Sequence, residues 1–214
     1  MEKTFQDLSD WLATSDMPNG KKKVLKASLQ LFSKQGYDGT STAEIAKLSG
    51  MSQATIFKYF KSKDDLLLFI LEPMIDHILP TYGEEFAKQV NSSNYDLESL
   101  VQFIVRNRFE FLVQNRDAAI ILISQVLIND KVRNMLLDKV MSLKDLFFNN
   151  IWKALKDTGE MREDVDPIEW IRMVIGQIIL YFLQSQRILD TIDDKQLDHD
   201  LSQIEDSVVR AIKK

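Results

Sequence analysis

Cysteine is missing from this sequence of 214 residues, and histidine, glycine and proline are scarce. Without cysteine there is no disulfide, thiolate zinc site, iron–sulfur cluster or cysteine nucleophile. His77 and His199 are isolated, and the chain has no glycine-rich phosphate loop and no G-x-S-x-G motif. We therefore predict no metal, no cofactor and no enzyme activity. Seven glycines and four prolines are also too few for the many turns of an all-β protein.

Long hydrophobic runs are absent as well. The best candidate, Trp170 to Leu183, has 14 residues and is interrupted by Arg172 and Gln177, whereas a spanning helix needs about 18 apolar residues. The start, Met1 to Asp10, has four charged residues and no apolar core, unlike a secretory signal. We therefore expect a cytoplasmic protein.

Apolar residues at helical spacing are what the sequence has in abundance. Leu97, Leu100, Val101 and Ile104 are one example of the i, i+3, i+4, i+7 pattern, which predicts an all-α fold. Within the fourth helix, Pro73 predicts a bend or an end. The predicted helices span about residues 20–36, 42–49, 53–60, 63–79, 96–114, 116–128, 130–157, 167–189 and 195–212, and Phe5, Leu8 and Leu12 share one face of a short helix before them.

The net charge of −5 conceals two regions of opposite sign. Residues 20–63 carry nine lysines against Asp38 and Glu44, a local charge of +7, so the remainder carries −12. A ligand responds to charges within a Debye length of about 8 to 10 Å, so the basic segment can bind a polyanion. A solvated lysine-rich surface is the alternative. The lysines are Lys21, Lys22, Lys23, Lys26, Lys34, Lys47, Lys58, Lys61 and Lys63.

Two short helices inside the basic segment are marked by cap and turn residues. Ser41 and Glu44 have the spacing of a capping box, in which each side chain binds the other residue's backbone N–H. Gly50 allows the left-handed conformation of a tight turn, and Ser52 is suited to cap the next helix. The arrangement predicts a helix-turn-helix. Its predicted inward-facing residues are Ile45, Ala46 and Leu48 in the first helix and Ile56, Phe57 and Phe60 in the second.

The second helix of such a motif enters the major groove of double-stranded DNA with its N-terminal residues toward the bases. Gln53 can bind adenine through both ends of its amide, and Ala54 or the methyl group of Thr55 can touch thymine. Lysines and the hydroxyls at a helix start suit phosphates. The predicted DNA-binding residues are Lys21, Lys22, Lys23, Ser41, Thr42, Ser52, Gln53, Ala54, Thr55, Lys58, Tyr59, Lys61 and Lys63.

Residues 31–46, LFSKQGYDGTSTAEIA, and 50–67, GMSQATIFKYFKSKDDLL, resemble the DNA-binding domain of the tetracycline-repressor (TetR) family. The resemblance implies an all-helical, homodimeric transcriptional regulator, usually a repressor. Its larger C-terminal domain would bind a small inducer and dimerise through its last two helices. Phe57 departs from the pattern, because the family commonly has there a tyrosine whose hydroxyl contacts a phosphate. The implied division is an N-terminal extension at 1–19, a DNA-binding domain at 20–65 and a ligand-binding and dimerisation domain at 66–214.

Aromatic residues are concentrated after residue 66, where eight of the 12 phenylalanines lie. Such residues can line an apolar cavity for a small ligand, and they can equally fill a core. Polar side chains that interrupt apolar faces are candidates to orient a ligand or are satisfied buried groups. The candidate ligand-binding residues are Phe103, Asn107, Phe111, Gln125, Trp152, Gln177 and Tyr181.

The helix predicted at 167–189 is apolar on nearly all sides, so every face must be covered. Gly176 would let another helix approach closely, and the last helix offers a second apolar stripe. Together they predict half of a four-helix interface in a two-fold dimer, and a core helix in a monomer is the alternative. The candidate interface residues are Val174, Ile178, Phe182, Leu201, Ile204 and Val208.

These expectations combine into one hypothesis. A dimer would place two recognition helices about 34 to 36 Å apart on a pseudo-palindromic operator. An apolar or amphipathic ligand would shift the population toward a conformer that does not bind DNA, with the fourth helix bending at Pro73. A DNA-binding architectural or partner-regulated factor of the same fold, with no inducer, is the alternative.

Overall fold

Helices make up the regular structure of this computed structural model, which describes residues 7–189 and 192–214. Met161 and Lys213 form an isolated antiparallel bridge, and no strand occurs elsewhere in those two ranges. The all-α prediction is confirmed. Across the described residues, none of the helices has the length and apolar character needed to cross a membrane.

The α-helices of the described residues range from three residues to 19 residues in length. They are α1 (Leu8–Thr14), α2 (Asn19–Gln35), α3 (Thr42–Ser49), α4 (Gln53–Tyr59), α5 (Lys63–Pro73), α6 (Leu79–Ser92), α7 (Leu97–Gln114), α8 (Arg116–Val126), α9 (Asp130–Ser142), α10 (Lys144–Leu146), α11 (Lys153–Asp157), α12 (Pro167–Leu183) and α13 (Asp194–Ile212). Wider π-helical turns, with i→i+5 hydrogen bonds, follow α5 at Met74–Ile78, join α10 to α11 at Phe147–Trp152 and follow α12 at Gln184–Ile188.

The observed helices differ from the predicted ones in two regions, after Pro73 and within residues 130–157. The α5 helix ends at Pro73, as predicted. The backbone then stays helical through the π turn into α6, which the sequence prediction missed beyond residue 79. Pro80, the second residue of α6, has no N–H and cannot continue the backbone hydrogen bonds of this helical run. The single helix predicted at 130–157 is wrong, because it is interrupted at Leu143 and by a π turn.

The chain forms two compact units, each assembled from two stretches of sequence. The first runs up to Gly83 and includes Asn115–Leu143, and the second comprises Glu84–Gln114 and Lys144–Lys214. In the first unit, α2 packs against α3, α4, α5 and α8. Helices α8 and α9 therefore share a unit with the helix-turn-helix. The functional division at residues 19 and 65 stays a prediction.

The first unit has a core of large apolar side chains from several short helices. Leu25 and Phe32 of α2, Ile45 of α3, Ile56 of α4 and Leu66 of α5 are all fully buried. Helices α3, α4 and α5 have eight, seven and 11 residues and are too short to be stable alone, so burial of their apolar faces holds them in place. The short N-terminal helix predicted from Phe5, Leu8 and Leu12 is present as α1. Its Leu8 and Leu12 are buried, and Phe5 lies outside the described residues.

In the second unit, α7 contacts both α12 and α13. Ile104 of α7, Phe182 of α12 and Val208 of α13 belong to its buried core. At the edge of this core the guanidinium of Arg106 binds the Glu205 carboxylate at 2.8 Å and the Asp198 carboxylate at 2.6 Å. This ion-pair network fixes the register of α7 on α13.

Candidate nucleic-acid interface

The start of α3 is held by reciprocal hydrogen bonds between Ser41 and Glu44. The Ser41 hydroxyl accepts from the Glu44 N–H at 3.2 Å, and a Glu44 carboxylate oxygen accepts from the Ser41 N–H at 2.8 Å. The Ser41 N–H, together with the Ser41 hydroxyl that donates to the same carboxylate oxygen at 2.7 Å, favours the charged form and holds the pKa of Glu44 below its ordinary value. The predicted capping box is confirmed.

The turn from α3 to α4 follows the sequence signals closely. Gly50 has φ 67° and ψ 22°, the left-handed conformation that lets the chain reverse without a steric penalty. Two residues later the Ser52 hydroxyl accepts from the Thr55 N–H at 3.1 Å and caps α4. Both helices therefore begin and end where local chemistry places them, and they form a helix-turn-helix.

The outer face of α4 carries the predicted base-contacting residues. Gln53, Ala54 and Lys58 are exposed, while Thr55 and Tyr59 are half-buried. Across the turn, the Thr42 hydroxyl donates to the side-chain oxygen of Gln53 at 3.2 Å. This bond brings the starts of α3 and α4 together and fixes the carbonyl end of the Gln53 amide.

Two residues predicted to face inward lie at the surface instead. Phe57 is 50% exposed and Leu48 is 47% exposed, whereas Ile56 and Phe60 are 1% exposed. The prediction was wrong for Phe57 because this residue follows Gln53 by four positions and so shares its outer face. That spacing was available in the sequence, and it adds Phe57 to the residues that can touch DNA.

The side chain of Lys63 is half-buried, and its ammonium group has partners within the protein. Its ammonium group donates to the backbone carbonyls of Tyr37 and Thr40, both at 3.0 Å, and lies 4.2 Å from the centre of the Tyr37 ring. The Tyr37 hydroxyl in turn donates to Asp64, and burial together with this bond raises the tyrosine pKa. Lys63 therefore fastens the loop between α2 and α3 to the start of α5.

Of the three lysines at the start of α2, two also have partners within the protein. The Lys21 ammonium lies 3.7 Å from the centre of the Phe69 ring, and burial lowers its pKa. Lys22 donates to the carbonyl of Ala13 at 2.9 Å. The predicted phosphate-binding lysines that remain exposed are Lys23, Lys58 and Lys61.

The predicted ligand-binding residues are divided between the two units. Gln125 belongs to the first unit. The other six residues belong to the second unit and are Phe103, Asn107, Phe111, Trp152, Gln177 and Tyr181. Phe103 stacks on Phe86 with ring centres 5.3 Å apart, and the Tyr181 hydroxyl donates to Asp200 at 2.9 Å. A pocket of about 260 Å³ in the second unit is lined by none of the six. The described residues contain no cluster of three His, Asp or Glu side chains that could hold a metal ion.

The predicted dimer interface stays a prediction, and its residues are buried within the single chain. The reason is that α7 packs on the faces of α12 and α13 that carry them. The large apolar residues that α12 exposes are Ile168, Ile175 and Leu180. The predicted interface residues that are buried are Val174, Ile178, Phe182, Leu201, Ile204 and Val208.

Comparison with known proteins agrees with the geometry of the site. Residues 24–70 match the family of bacterial regulatory proteins called the tetR family. The HTH-type negative transcriptional regulator IcaR of the biofilm operon icaADBC, from Staphylococcus aureus (strain Newman), is 23% identical over 197 residues. The alignment covers 88% of this chain and 94% of IcaR.

Solved structures share the fold along almost the whole chain. The ketosteroid transcriptional regulator KstR2 of Mycobacterium tuberculosis has a TM-score of 0.69 at 16% identity, with 94% of this chain and 97% of KstR2 covered. The regulator FadR of Bacillus subtilis, solved in complex with stearoyl-CoA, has a TM-score of 0.56 at 18% identity, with 88% and 95% covered. The capped helix-turn-helix lies inside the segment at residues 24–70, and this segment matches the tetR family of bacterial regulatory proteins.

Proposed function

We propose that this chain is a homodimeric transcriptional repressor that binds a pseudo-palindromic operator and leaves it when a small apolar or amphipathic ligand binds. The observation that carries the proposal is the exposed start of α4, with Gln53, Ala54 and Lys58 on one capped helix. It lies in a segment with nine lysines and two acidic residues. Such a surface attracts the phosphate backbone and presents hydrogen-bonding groups to base edges.

Base reading and phosphate binding fall to different side chains. Gln53, Ala54, Thr55 and Phe57 are suited to base edges and thymine methyl groups. Hydroxyls at the starts of α3 and α4 and the exposed ammonium groups are suited to phosphates. Lys21, Lys22 and Lys63 do not belong to this set, because their ammonium groups have partners within the protein. The proposed phosphate-binding residues are Lys23, Ser41, Thr42, Ser52, Lys58 and Lys61.

The direction of regulation and the dimer have separate support. IcaR, similar along most of the chain, is a negative regulator, which favours repression here. For the dimer, the exposed residues Ile168, Ile175 and Leu180 of α12 offer an apolar surface, and exposed Gly176 leaves room for a neighbouring helix. A two-fold axis through α12 would repeat this surface on both chains.

A ligand is supported by one buried polar group in the second unit. The indole N–H of Trp170 is buried and has no hydrogen-bond partner within the described residues. Its ring lies 5.9 Å from that of Phe147 and 6.2 Å from that of Trp152. A buried donor among aromatic rings suits an amphipathic molecule that brings an acceptor. The stearoyl-CoA complex of FadR shows that a similar fold takes such a molecule.

A partner-regulated DNA-binding factor with no inducer is the second candidate. It is favoured by the scattered positions of the predicted ligand-binding residues, whose rings and polar ends are used in internal contacts. The two candidates share the DNA interface and differ only in what releases the protein from DNA.

DNA selected from a random pool by the wild-type protein tests the shared interface. In gel-shift titrations we expect Lys58→Ala to weaken binding about tenfold. The salt slope, which is the slope of log affinity against log salt concentration, should fall by about one because one phosphate contact is lost. Gln53→Ala should relax the preference at one base position. Lys88→Ala, an exposed lysine far along the sequence, is the control. Equal affinities for all four proteins would refute the DNA interface.

Addition of stearoyl-CoA to the protein–operator complex separates the two candidates. If the ligand binds only the conformer that lacks operator affinity, the complex dissociates at ligand concentrations near its dissociation constant. Trp170→Phe, which removes the indole N–H and keeps a ring, should then require more ligand. If neither stearoyl-CoA nor a panel of smaller amphipathic acids releases DNA, the partner-regulated factor is the better description.

A further inference from the structure

The N-terminal helix α1 is attached to the DNA-binding helices at several points. Leu8 and Leu12 are buried, and the Leu8 N–H donates to the side-chain oxygen of Asn115 at 3.3 Å. At the other end of α1, the Ala13 carbonyl accepts from the Lys22 ammonium at 2.9 Å. The helix is therefore fixed to the start of α8 at one end and to the start of α2 at the other.

A line of aromatic rings connects α1 with the end of the recognition helix. Trp11 lies 6.1 Å from the Phe69 ring of α5, and Phe69 lies 5.5 Å from Phe60. Phe60 directly follows α4, and its N–H closes the last turn of that helix on the Ile56 carbonyl. The Lys21 ammonium lies 3.7 Å from the Phe69 ring centre and 5.1 Å from that of Phe60. Aromatic pairs and cation–π contacts of this kind favour one arrangement of the rings.

The start of α2 also touches α4 directly. A Cβ atom placed on Gly20 would lie only 2.9 Å from the Tyr59 hydroxyl, so a larger residue here would require the tyrosine side chain to shift. The Tyr59 side chain therefore packs beside the first turn of α2. Movement of the first turn of α2 would therefore displace Tyr59 at the C-terminal end of α4.

The charge of α1 makes a direct DNA contact unfavourable. Residues 7–19 contain Asp7, Asp10 and Asp16 and no lysine or arginine. Three carboxylates near the phosphate backbone would be repelled, whereas a DNA-binding arm carries cations. Its role must therefore be exerted through the protein.

The geometry points to α1 as a positioning element for the recognition helix, which acts from Trp11 through Phe69 to Phe60 and contacts no DNA itself. This inference rests on the proposed DNA-binding function. It predicts that loss of the Trp11 ring lets α4 vary in orientation. Base contacts depend on that orientation, but the attraction between lysines and phosphates does so much less.

The test compares operator DNA with unrelated DNA of equal length. We expect Trp11→Ala to reduce operator affinity about tenfold, with little change in affinity for unrelated DNA and an unchanged salt slope. Trp11→Phe keeps a ring beside Phe69 and should restore most of the specificity. Asp10→Asn, an exposed neighbour on the same helix, is the control and should leave the affinity ratio unchanged. A general loss of stability would lower both affinities together.

A second readout needs no DNA. Backbone hydrogen exchange over residues 53–60 should accelerate in Trp11→Ala and stay close to wild type in Trp11→Phe, with far-ultraviolet circular dichroism confirming that both variants fold. An unchanged affinity ratio with unchanged exchange would overturn the inference. A reduced salt slope in Trp11→Ala would also overturn it, because α1 would then be a DNA contact. If the wild-type protein prefers no sequence while the exchange effect is present, the proposed function fails and the coupling of α1 to α4 stands.

Discussion

The helix-turn-helix and the α12 helix show two ways in which a sequence specifies a buried face. In α3 and α4 the ends are set by serine caps, the turn by Gly50, and the helices are too short to have more than one apolar side. In α12 apolar residues surround the helix, and no local signal distinguishes the core side from the open side. The comparison teaches that caps and turns fix where a helix lies in the chain, while its neighbours decide which face is buried.

The largest expected effect tests the assignment of faces in α12. Phe182 is fully buried, so Phe182→Ala should lower the free energy of unfolding by about 3 to 5 kcal/mol. Leu180 is 57% exposed, and Leu180→Ala should change it by less than about 0.5 kcal/mol while weakening self-association. Urea denaturation and sedimentation at several protein concentrations measure the two quantities. A dimer that dissociates in Phe182→Ala with little loss of stability would reverse the assignment.

Substitution by alanine at two glycines should change the free energy of unfolding in opposite directions. Gly50→Ala places a Cβ in the left-handed region and should cost about 1 to 2 kcal/mol. Gly176 has no positive φ, and an added Cβ there meets no atom within 4 Å, so Gly176→Ala should stabilise α12 by about 0.5 to 1 kcal/mol. Thermal unfolding at low protein concentration gives both values. Destabilisation by Gly176→Ala would indicate that another helix lies against this position, as the sequence suggested.

A smaller effect is expected from the cap of α3. Ser41→Ala removes the acceptor for the Glu44 N–H and should cost about 1 kcal/mol. Ser93→Ala, at an exposed serine after α6, is the matched control and should be neutral. Chemical denaturation of both variants gives the difference. Equal stabilities would mean that tertiary packing, and not the capping box, determines where α3 begins.

The smallest effect is a pH dependence of the same cap. The pKa of Glu44 is lowered in the folded protein, so its charge stabilises the fold at pH values above its unfolded pKa of about 4.3. This contribution is lost as the pH falls through the lowered folded pKa. The stability difference between wild type and Glu44→Gln should therefore be constant near neutral pH and vanish in acid. Urea midpoints at a series of pH values test this, and a pH-independent difference would contradict it.

Local chemistry allowed much of the fold and of the DNA interface to be predicted from sequence. The bounds of α3 match the prediction because the caps are local, and Asp166 with Pro167 likewise marks the start of α12. The sequence also contained the outward position of Phe57, four residues after Gln53. It was missed because a phenylalanine at the surface is unusual.

Other features depend on contacts between residues far apart in sequence. Lys63 could not be recognised as a structural residue, because its carbonyl partners belong to a loop more than 20 residues earlier. The inclusion of α8 and α9 in the first unit depends on packing that no local pattern records. The burial of Val174 and Ile178 was likewise decided by α7, which packs against α12.

The π turn at Phe147–Trp152 determines how this part of the chain would respond to the deletion of one residue. Hydrogen bonds from i to i+5 place residues five apart on the same side, and the rings of Phe147 and Trp152 lie 6.3 Å apart. Deleting exposed Asn149 would place the same two rings four apart, the spacing at which side chains meet in an ordinary α-helix. Elsewhere in a helix such a deletion turns everything beyond it by about 100°. This turn is therefore a place where the chain can lose one residue and keep its aromatic contact.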